Sequence, residues 1–211
     1  MPLNTIWLLN EMNKNTLLWD LGNVVVRWSP DTILRKLDYS SQQTSFVRES
    51  LFAHRDWQDM DRGVTTELEV AQRLVAESDL SIEQAVRCFD VVRDTLVDIH
   101  QSVELINEVA QTNTPMYVLS NMSNPNADYL RQRAYFSHFQ GVVISAEEKL
   151  NKPDSALFER VLSRYSLEAN SVLFIDDTLE NIEAAGKLGI EGLHFKGSDE
   201  CYSRIRRFVN I

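Results

Sequence analysis

The stretch Thr16-Leu-Leu-Trp-Asp20-Leu-Gly-Asn23 decides the fold class, because an apolar run ends abruptly in a carboxylate that turn-forming residues follow. This pattern predicts a buried parallel strand that delivers Asp20 to its carboxyl end, where open α/β sheets bind ligands. A second apolar run, Ser171-Val-Leu-Phe-Ile175, ends in the same way in Asp176 and Asp177. Carboxylates from two strand ends would repel one another in a crevice unless a cation neutralised them. The two stretches therefore predict a divalent metal, Mg²⁺, with one carboxylate free to act as a nucleophile.

Composition limits the classes of function. A chain of 211 residues suits one large domain or a core with a modest insertion, and a hydrophobic content of 44% is ample for a packed interior. The net charge of −10, with no basic stripe to offset it, argues against a protein that binds nucleic acid or a membrane surface. The net charge does not exclude a small anionic substrate, because a metal ion and one lysine can make the electrostatic potential inside a crevice positive.

Cysteine spacing and the start of the chain bear on location. Cys88 and Cys201 have neither metal-ligand nor redox spacing, and we interpret both as reduced thiols in a cytoplasmic protein. No apolar run approaches the roughly 20 residues that span a bilayer. Residues 1–15 contain Ile6-Trp-Leu-Leu9 but no basic segment or small-residue cleavage site, so a signal peptide is not expected. We expect a surface-packed extension there, with Met12 as an alternative first residue.

The segment from residue 29 to about residue 100 has a helical pattern throughout. It begins at Ser29-Pro30, where serine suits the N-cap and proline the first helical position. Apolar residues then recur three and four apart, and Ser81-x-x-Gln84 resembles a capping box. We therefore predict an all-helical cap domain at 29–100, inserted into an α/β core formed by 1–28 and 101–211.

From residue 101 onwards the pattern alternates between helix and strand. Helices are predicted at 103–110, 127–134, 154–165 and 179–188, and short strands at 116–119, 142–144, 172–175 and 193–195. Strands separated by helices in this way imply βαβ units and a doubly wound, Rossmann-like parallel sheet with helices on both faces.

Polar residues fall at four predicted strand ends or loops of this sheet: Asp20, Ser120-Asn121, Lys152-Pro153 and Asp176-Asp177. A carboxylate can attack phosphorus and form an acyl phosphate, and a hydroxyl with the backbone N–H groups after it can hold phosphoryl oxygens. Lys152 offers a point charge for the phosphoryl group and the nucleophile. Mg²⁺ held by Asp20 and Asp177 would offset the remaining charge. The set suits phosphoryl transfer.

Four motifs occur in order along the chain: Trp19-Asp-Leu-Gly-Asn-Val24, Val118-Leu-Ser-Asn121, Lys152-Pro-Asp154 followed by Phe158, and Phe174-Ile-Asp-Asp177 with Asn181. In this order and spacing the chain resembles the haloacid dehalogenase superfamily of hydrolases, from about residue 16 onwards. The first motif is most similar to that of the α-D-glucose-1-phosphate phosphatase branch. The helical insertion resembles the C1 cap of the family.

The resemblance implies a nucleophile and a metal site. Asp20 would be the nucleophile. A Mg²⁺ ion would be held by Asp20, the backbone carbonyl of Gly22 and Asp177, with Asp176 beside them either as a further metal ligand or as a residue that supports the ligands.

The resemblance also implies a site for the phosphoryl group. Ser120 and Asn121 would bind it, and Lys152 would stabilise it. Asn181 would orient the acidic loop or Lys152.

The chain departs from the family pattern at Gly22. Most phosphatases of the superfamily carry a second aspartate there, two residues after the nucleophile, as general acid and base. Such help is worth about 10²–10⁴-fold, so its loss slows turnover without abolishing it. An anomeric phosphate fits such a site, because its leaving group departs readily. A second departure, Lys149 where relatives often have glycine, predicts only a local change of the loop.

A group from the cap is the alternative source of the acid and base. The candidates share one polar stretch: His54, Asp56, Asp59 and Asp61. Taken singly, His54, Asp59 and Asp61 are each more typical of an exposed helix or loop than of a catalyst. Among the tryptophans, which we expect to pack in the core or against the cap, Trp28 and Trp57 are candidates for lining a substrate pocket.

Three functions compete on this scaffold. The first is a Mg²⁺-dependent phosphatase of a small phosphorylated metabolite, with a sugar phosphate as first candidate and an aspartyl phosphate on Asp20. The second is a metal-independent 2-haloacid dehalogenase, against which the pair Asp176-Asp177 argues, since that chemistry has no metal to bind. The third is a catalytically weak binder of a phosphorylated ligand, which Gly22 suggests and the retained nucleophile opposes. We predict the phosphatase.

Overall fold

A five-stranded parallel sheet lies at the centre of the protein, which we describe over residues 15–211 from a computed structural model. Its strands are β1 Thr16–Trp19, β2 Met116–Ser120, β3 Gly141–Ile144, β4 Val172–Asp176 and β5 Glu191–His194. Their spatial order is β3-β2-β1-β4-β5, with every neighbouring pair parallel. The prediction of a doubly wound parallel sheet is confirmed. β5 begins two residues earlier than predicted, and β4 extends through the first acidic residue.

Helices of the cap region follow β1. They are α1 Pro30–Arg35, α2 Ser41–Val47, α3 Arg55–Asp61, α4 Glu67–Ala76 and α5 Ile82–Thr95, with a π-helical turn at Arg48–Phe52. The two predicted helix starts are confirmed, since Ser29 caps α1 and a capping box of Ser81 and Gln84 opens α5. These helices bury a hydrophobic cluster of their own. That separate cluster supports the boundaries that we propose, a cap at 29–100 within a core of 1–28 and 101–211.

The remaining helices cover both faces of the sheet. They are α6 His100–Val109, α7 Asn124–Leu130, α8 Ser145–Glu148, α9 Ser155–Tyr165, α10 Leu179–Lys187 and α11 Asp199–Val209. Successive side chains of a strand point to opposite faces. Leu17 and Trp19 accordingly pack in one cluster with α6, α7 and α11, while Leu18 packs in another with α9 and α10. Burial on both faces explains why three successive residues of β1, Leu17, Leu18 and Trp19, are apolar.

One helical prediction needs correction, and two helices, the short α8 and the longer α11, were not predicted. The helix predicted at 127–134 is wrong at its end, because α7 stops at Leu130 and a 3₁₀ turn at Ala134–His138 follows. The turn brings Tyr135 and Phe136 into the core, where both are buried. α11 was not predicted, although its buried side chains recur three or four residues apart as in other amphipathic helices.

Other expectations concern the thiols and the start of the chain. Cys88 and Cys201 are buried free thiols. No helix among residues 15–211 is both long enough and apolar enough to cross a bilayer. The extension expected at the start of the chain, with Ile6-Trp-Leu-Leu9 and Met12, lies outside the described residues.

Hydrogen bonds from the core hold the end of α3 against the sheet. Their acceptors are all backbone carbonyls of the cap: Ser145 Oγ donates to Asp61, Asn151 Nδ2 to Gln58, and Lys149 Nζ to Gly63. Lys149 has a φ of +61°, in the left-handed region that favours glycine. Gly63 has a φ of +70°, and a Cβ there would lie 2.3 Å from the carbonyl oxygen of Ala146. The close approach of cap and core therefore requires glycine at this position.

We expect Gly63→Ala to lower the free energy of unfolding by about 1–3 kcal/mol, because alanine would be strained at this φ and would collide with a carbonyl. Urea unfolding followed by circular dichroism measures the change. The matched control is Gly186→Ala within α10, where a Cβ meets no atom within 4 Å. It should raise stability by about 0.5–1 kcal/mol. Equal stability of both variants would contradict this account of the contact.

Candidate active site

The carboxyl ends of β1, β2 and β4 open onto one cavity of about 200 Å³. β1 lies between the other two strands, so side chains that leave the three ends meet. Six of the residues predicted from the sequence line this cavity: Asp20, Gly22, Asn121, Lys152, Asp177 and Asn181. The other two, Ser120 and Asp176, are buried at the ends of β2 and β4.

The ammonium group of Lys152 is buried and fully paired. Nζ lies 2.9 Å from Asp20 Oδ1, 2.7 Å from Asp176 Oδ2 and 2.9 Å from the carbonyl oxygen of Leu119. An ammonium has three protons to donate, so these contacts use them all. Burial lowers the pKa of Lys152, but the two carboxylates outweigh it and hold the pKa above its ordinary value. Lys152 is therefore a fixed positive charge beside Asp20.

Asp20 is a buried carboxyl in a strongly polar setting. Burial raises its pKa to about 6, against the lowering effect of Lys152, and the Asp176 carboxylate adds to the rise. The hydroxyl of Ser120 donates a hydrogen bond to the same carboxyl and favours its charged form. Next to it, a Cβ placed on Gly22 would meet only Asp20 Oδ2, at 4.0 Å. The space over this oxygen is thus open to the cavity.

Asp176 is held by donors on both of its oxygens. Oδ1 accepts from the Thr178 N–H at 2.8 Å and from Asn181 Nδ2 at 3.0 Å. Oδ2 accepts from Lys152 at 2.7 Å and from the same Asn181 amide at 3.1 Å. Asn181 thus orients the acidic loop, and Asp176 positions the ammonium of Lys152.

Asn121 has a role that the sequence did not indicate. Its Nδ2 donates to the carbonyl of Lys152 at 2.9 Å, and its Oδ1 accepts from the Lys152 N–H at 2.8 Å. This reciprocal pair fixes the backbone of the lysine. Asn121 therefore positions Lys152 while it also lines the cavity.

Asp177 is less buried than its neighbour and faces the loop after β1. Its Oδ2 accepts from Asn23 Nδ2 at 3.0 Å, and Asn23 Oδ1 accepts from the Trp28 N–H at 2.9 Å. Asn23 adopts a φ of +53°, which asparagine tolerates better than most residues. The loops after β1 and β4 are thus joined directly at the edge of the cavity.

The acidic residues fit a hard divalent cation. Carboxylate oxygens of Asp20, Asp176 and Asp177 lie within 4.8 Å of one another, and oxygen is the donor that Mg²⁺ prefers. When ionised, the three carboxylates and Lys152 carry a net charge of −2, which a divalent cation would neutralise. Because both oxygens of Asp176 already accept hydrogen bonds, Asp20 and Asp177 are the better-placed ligands.

Aromatic side chains also line the cavity. Trp28 and Trp57 stack with ring centroids 4.7 Å apart, and Phe52 packs against both. The two indoles line the cavity, as the sequence suggested. Asn126 also lines it, is 5% exposed, and has a buried Oδ1 without a hydrogen-bond partner. Nothing in the sequence indicated that Asn126 would line the cavity.

The structure separates the four polar candidates of the cap. His54 caps α3, with Nδ1 accepting from the N–H of Asp56, and Asp56 itself pairs with Arg73. Asp59 pairs with arginines on its own helix. Of the four, Asp61 alone is a lining residue of the cavity. Burial raises the pKa of Asp61 to about 7.

Two of the curated relatives of the chain come from Aspergillus species. The chain is 26% identical over 195 residues to the sesquiterpene phosphatase astK of Aspergillus oryzae. This alignment covers 91% of this chain and 95% of that protein. The chain is also 26% identical over 202 residues to the drimenol cyclase drtB of Aspergillus calidoustus, covering 92% of this chain. The chain spans about a third of that second protein, 36% of its length.

Similar solved structures share the fold. A HAD family enzyme, bt-2542 from Bacteroides thetaiotaomicron, in complex with magnesium and inorganic phosphate has a TM-score of 0.72 at 21% identity, over 88% of this chain and 96% of that one. A dehalogenase with an intermediate complex has a TM-score of 0.69 at 12% identity, over 93% and 97%. Residues 60–194 match the family model described as haloacid dehalogenase-like hydrolase. With the sheet, the strand-end residues and this match in agreement, the chain belongs to the haloacid dehalogenase-like hydrolase family.

Proposed function

We propose that the protein is a Mg²⁺-dependent phosphatase that hydrolyses a small phosphorylated metabolite through an aspartyl phosphate on Asp20. The observation that carries the proposal is the buried contact of Asp20 with Lys152 beside an acidic cluster that fits a cation. A relative is named a phosphatase, and a solved structure of the same fold holds magnesium and inorganic phosphate, which supports this choice. The free buried thiols Cys88 and Cys201 agree with our expectation of a cytoplasmic protein.

The dehalogenase alternative has less support. Its chemistry also uses a carboxylate nucleophile, and a dehalogenase shares the fold at 12% identity. However, Asp176 and Asp177 would add two negative charges beside Asp20 with one lysine to offset them. Repulsion of this kind disfavours ionised carboxylates, so a metal-free reaction would gain nothing from the pair.

Each residue of the site has a distinct role in the proposed reaction. Asp20 would attack phosphorus in line with the departing oxygen, and Lys152 would hold its Oδ1 and offset the charge of the phosphoryl group. Ser120 and Asn121 lie at the end of β2, where they would bind phosphoryl oxygens. Bound Mg²⁺ would supply further positive charge and orient the substrate.

The metal would be held by residues on two loops. Asp20, the carbonyl of Gly22 and Asp177 are the proposed ligands. Asp176 stands next to them, and its hydrogen bonds favour a supporting role through Lys152 over direct ligation.

A small polar leaving group fits the cavity beside Asp20, whose volume of about 200 Å³ is below the roughly 300–1,000 Å³ of pockets for drug-sized ligands. A second cavity of about 550 Å³ shares three lining residues with it: Asp61, Asn121 and Lys152. The Asn126 side chain, which lines the cavity beside Asp20, offers an amide for a hydrogen bond to a hydroxyl, and the Trp28 and Trp57 rings offer a flat apolar surface. A sugar phosphate meets both demands. A sugar 1-phosphate is the first candidate, as in the α-D-glucose-1-phosphate phosphatase branch that the first motif resembles.

A terpenoid phosphate is the second candidate. The relative of 26% identity is named a sesquiterpene phosphatase. Four apolar side chains that line the cavity would suit a hydrocarbon leaving group: Trp28, Trp57, Leu96 and Met122.

We expect the protein to release inorganic phosphate from sugar 1-phosphates in the presence of Mg²⁺, and Asp20→Asn to reduce release to background because the amide is a poor nucleophile. A panel of sugar phosphates, farnesyl phosphate and p-nitrophenyl phosphate, each with Mg²⁺ or EDTA, measures this. Asp38→Asn, an exposed site in the loop between α1 and α2, is the matched control and should keep full activity. Preference for farnesyl phosphate would favour the second candidate. Equal release by Asp20→Asn would overturn the proposed nucleophile.

We also expect Mg²⁺ to stabilise the protein in the absence of substrate. A ligand at 100 times its Kd adds about 2.7 kcal/mol to the free energy of unfolding. Asp177→Asn should lose most of this gain, since it removes a charged ligand, while Glu180→Gln on the exposed start of α10 should keep it. Thermal unfolding with and without Mg²⁺ tests the site. An identical Mg²⁺ response in wild type and Asp177→Asn would exclude Asp177 as a ligand.

A further inference from the structure

Nothing at position 22 can exchange a proton with the substrate. Gly22 has no side chain, and the space beside Asp20 Oδ2 is open to the cavity. A poor leaving group such as an alkoxide needs a proton as its bond to phosphorus breaks. The later attack of water on an acyl phosphate needs a base. Full turnover therefore calls for another titratable group at this cavity, because acid–base help is worth about 10²–10⁴-fold.

Asp61 is placed to be that group. It is the last residue of α3 and lines the cavity together with Asp20, Gly22 and Lys152. Its carboxylate accepts a hydrogen bond from the backbone N–H of Ser123, in the loop after β2.

The backbone of Asp61 is fixed as well. Its carbonyl accepts from Ser145 Oγ, which in turn accepts from the Met122 N–H at 2.9 Å. The first contact ties the end of α3 to the core, and the second holds the Ser145 hydroxyl on the loop after β2. Asp61 is thus held over the cavity by residues of the sheet edge, and its position does not depend on the cap alone.

The surroundings of Asp61 suit proton exchange near neutral pH. Burial raises its pKa to about 7, with the N–H of Ser123 and the ammonium of Lys152 opposing this rise and the Asp20 carboxylate adding to it. Three further charged residues line the second cavity together with Asp61: Arg62, Lys149 and Asp154. Arg62 is directed at Asp59 with a separation of 3.8 Å, and Lys149 donates to the carbonyl of Gly63. A general acid and base works best when its pKa lies near the working pH.

We infer that Asp61 is the general acid and base of the proposed phosphatase, supplied by the cap in place of the side chain that Gly22 lacks. The inference rests on the proposed function. In the first step Asp20 attacks phosphorus, the bond from phosphorus to the substrate oxygen breaks, and that oxygen takes the proton of Asp61. In the second step Asp61 takes a proton from water as the water oxygen bonds to phosphorus. The bond to Asp20 breaks, leaving inorganic phosphate, ionised Asp20 and protonated Asp61.

The test is Asp61→Asn, which keeps the shape of the side chain and an acceptor for the Ser123 N–H. We expect kcat for a sugar or alkyl phosphate to fall by about 10²–10⁴-fold. With p-nitrophenyl phosphate, whose leaving group needs no proton, one equivalent of p-nitrophenol should still appear rapidly, before slow turnover. The burst reports a phosphoenzyme that forms but is not hydrolysed. A merely structural role would not produce it.

The pH profile gives a second readout. In the wild type, kcat/KM for an alkyl phosphate should decline above about pH 7, as Asp61 loses the proton that it must donate. This decline should be absent from Asp61→Asn. Asp59→Asn, two residues earlier on the same helix and paired with arginines, is the matched control and should retain both the rate and the profile.

A rescue variant distinguishes activity lost with the acid–base group from activity lost because the protein is misfolded. The double variant Gly22→Asp with Asp61→Asn places a carboxyl in the open space beside Asp20, and should recover turnover at least about tenfold over Asp61→Asn alone. Wild-type rates in Asp61→Asn, or equal loss on both substrates without a burst, would overturn the inference and leave the phosphatase in place. Absence of phosphate release from the wild type would overturn the proposed function and this inference with it.

Discussion

The contact of the Lys152 ammonium with Asp20 and Asp176 is the interaction on which the site depends. Burying an ion costs several kcal/mol even after relaxation, and removal of one partner from a buried pair typically costs about 3–5 kcal/mol. The arrangement is tolerable because every proton of the ammonium has an acceptor. Asn121 and Asn181 then fix the lysine backbone and the second carboxylate. Stability and the geometry of the nucleophile thus come from the same contacts.

The fold and the strand-end residues could be predicted because both leave local signals. Strands buried on both faces are apolar throughout, as at Leu17 and Leu18, so a carboxylate directly after them is conspicuous. Parallel strands deliver such residues to one edge, which brought Asp20, Lys152 and Asp177 to a common cavity. The helix starts at Ser29 and Ser81 could also be predicted, because capping residues are a local feature of the sequence.

Other parts of the site depend on contacts between distant segments and have no local signal. Asp56, Asp59 and Asp61 look alike in sequence, and only the docking of α3 directs one of them into the cavity while arginines take the other two. Asn126 can be recognised only from the structure, in which its Oδ1 is buried without a hydrogen-bond partner. The end of α7 was mispredicted because tertiary burial of Tyr135 outweighed local helical periodicity.

The hydrogen bonds that dock α3 have a consequence for how this protein can diversify. On the cap side all three acceptors are main-chain carbonyls, and the donors Ser145, Lys149 and Asn151 belong to the core. A substitution in α3 therefore removes none of these acceptors, so long as the glycine at position 63 permits the close approach. Residues such as Trp57, which line the cavity, are free to vary without the loss of these hydrogen bonds. The substrate preference of the protein can therefore change during evolution while the residues of the reaction centre stay the same.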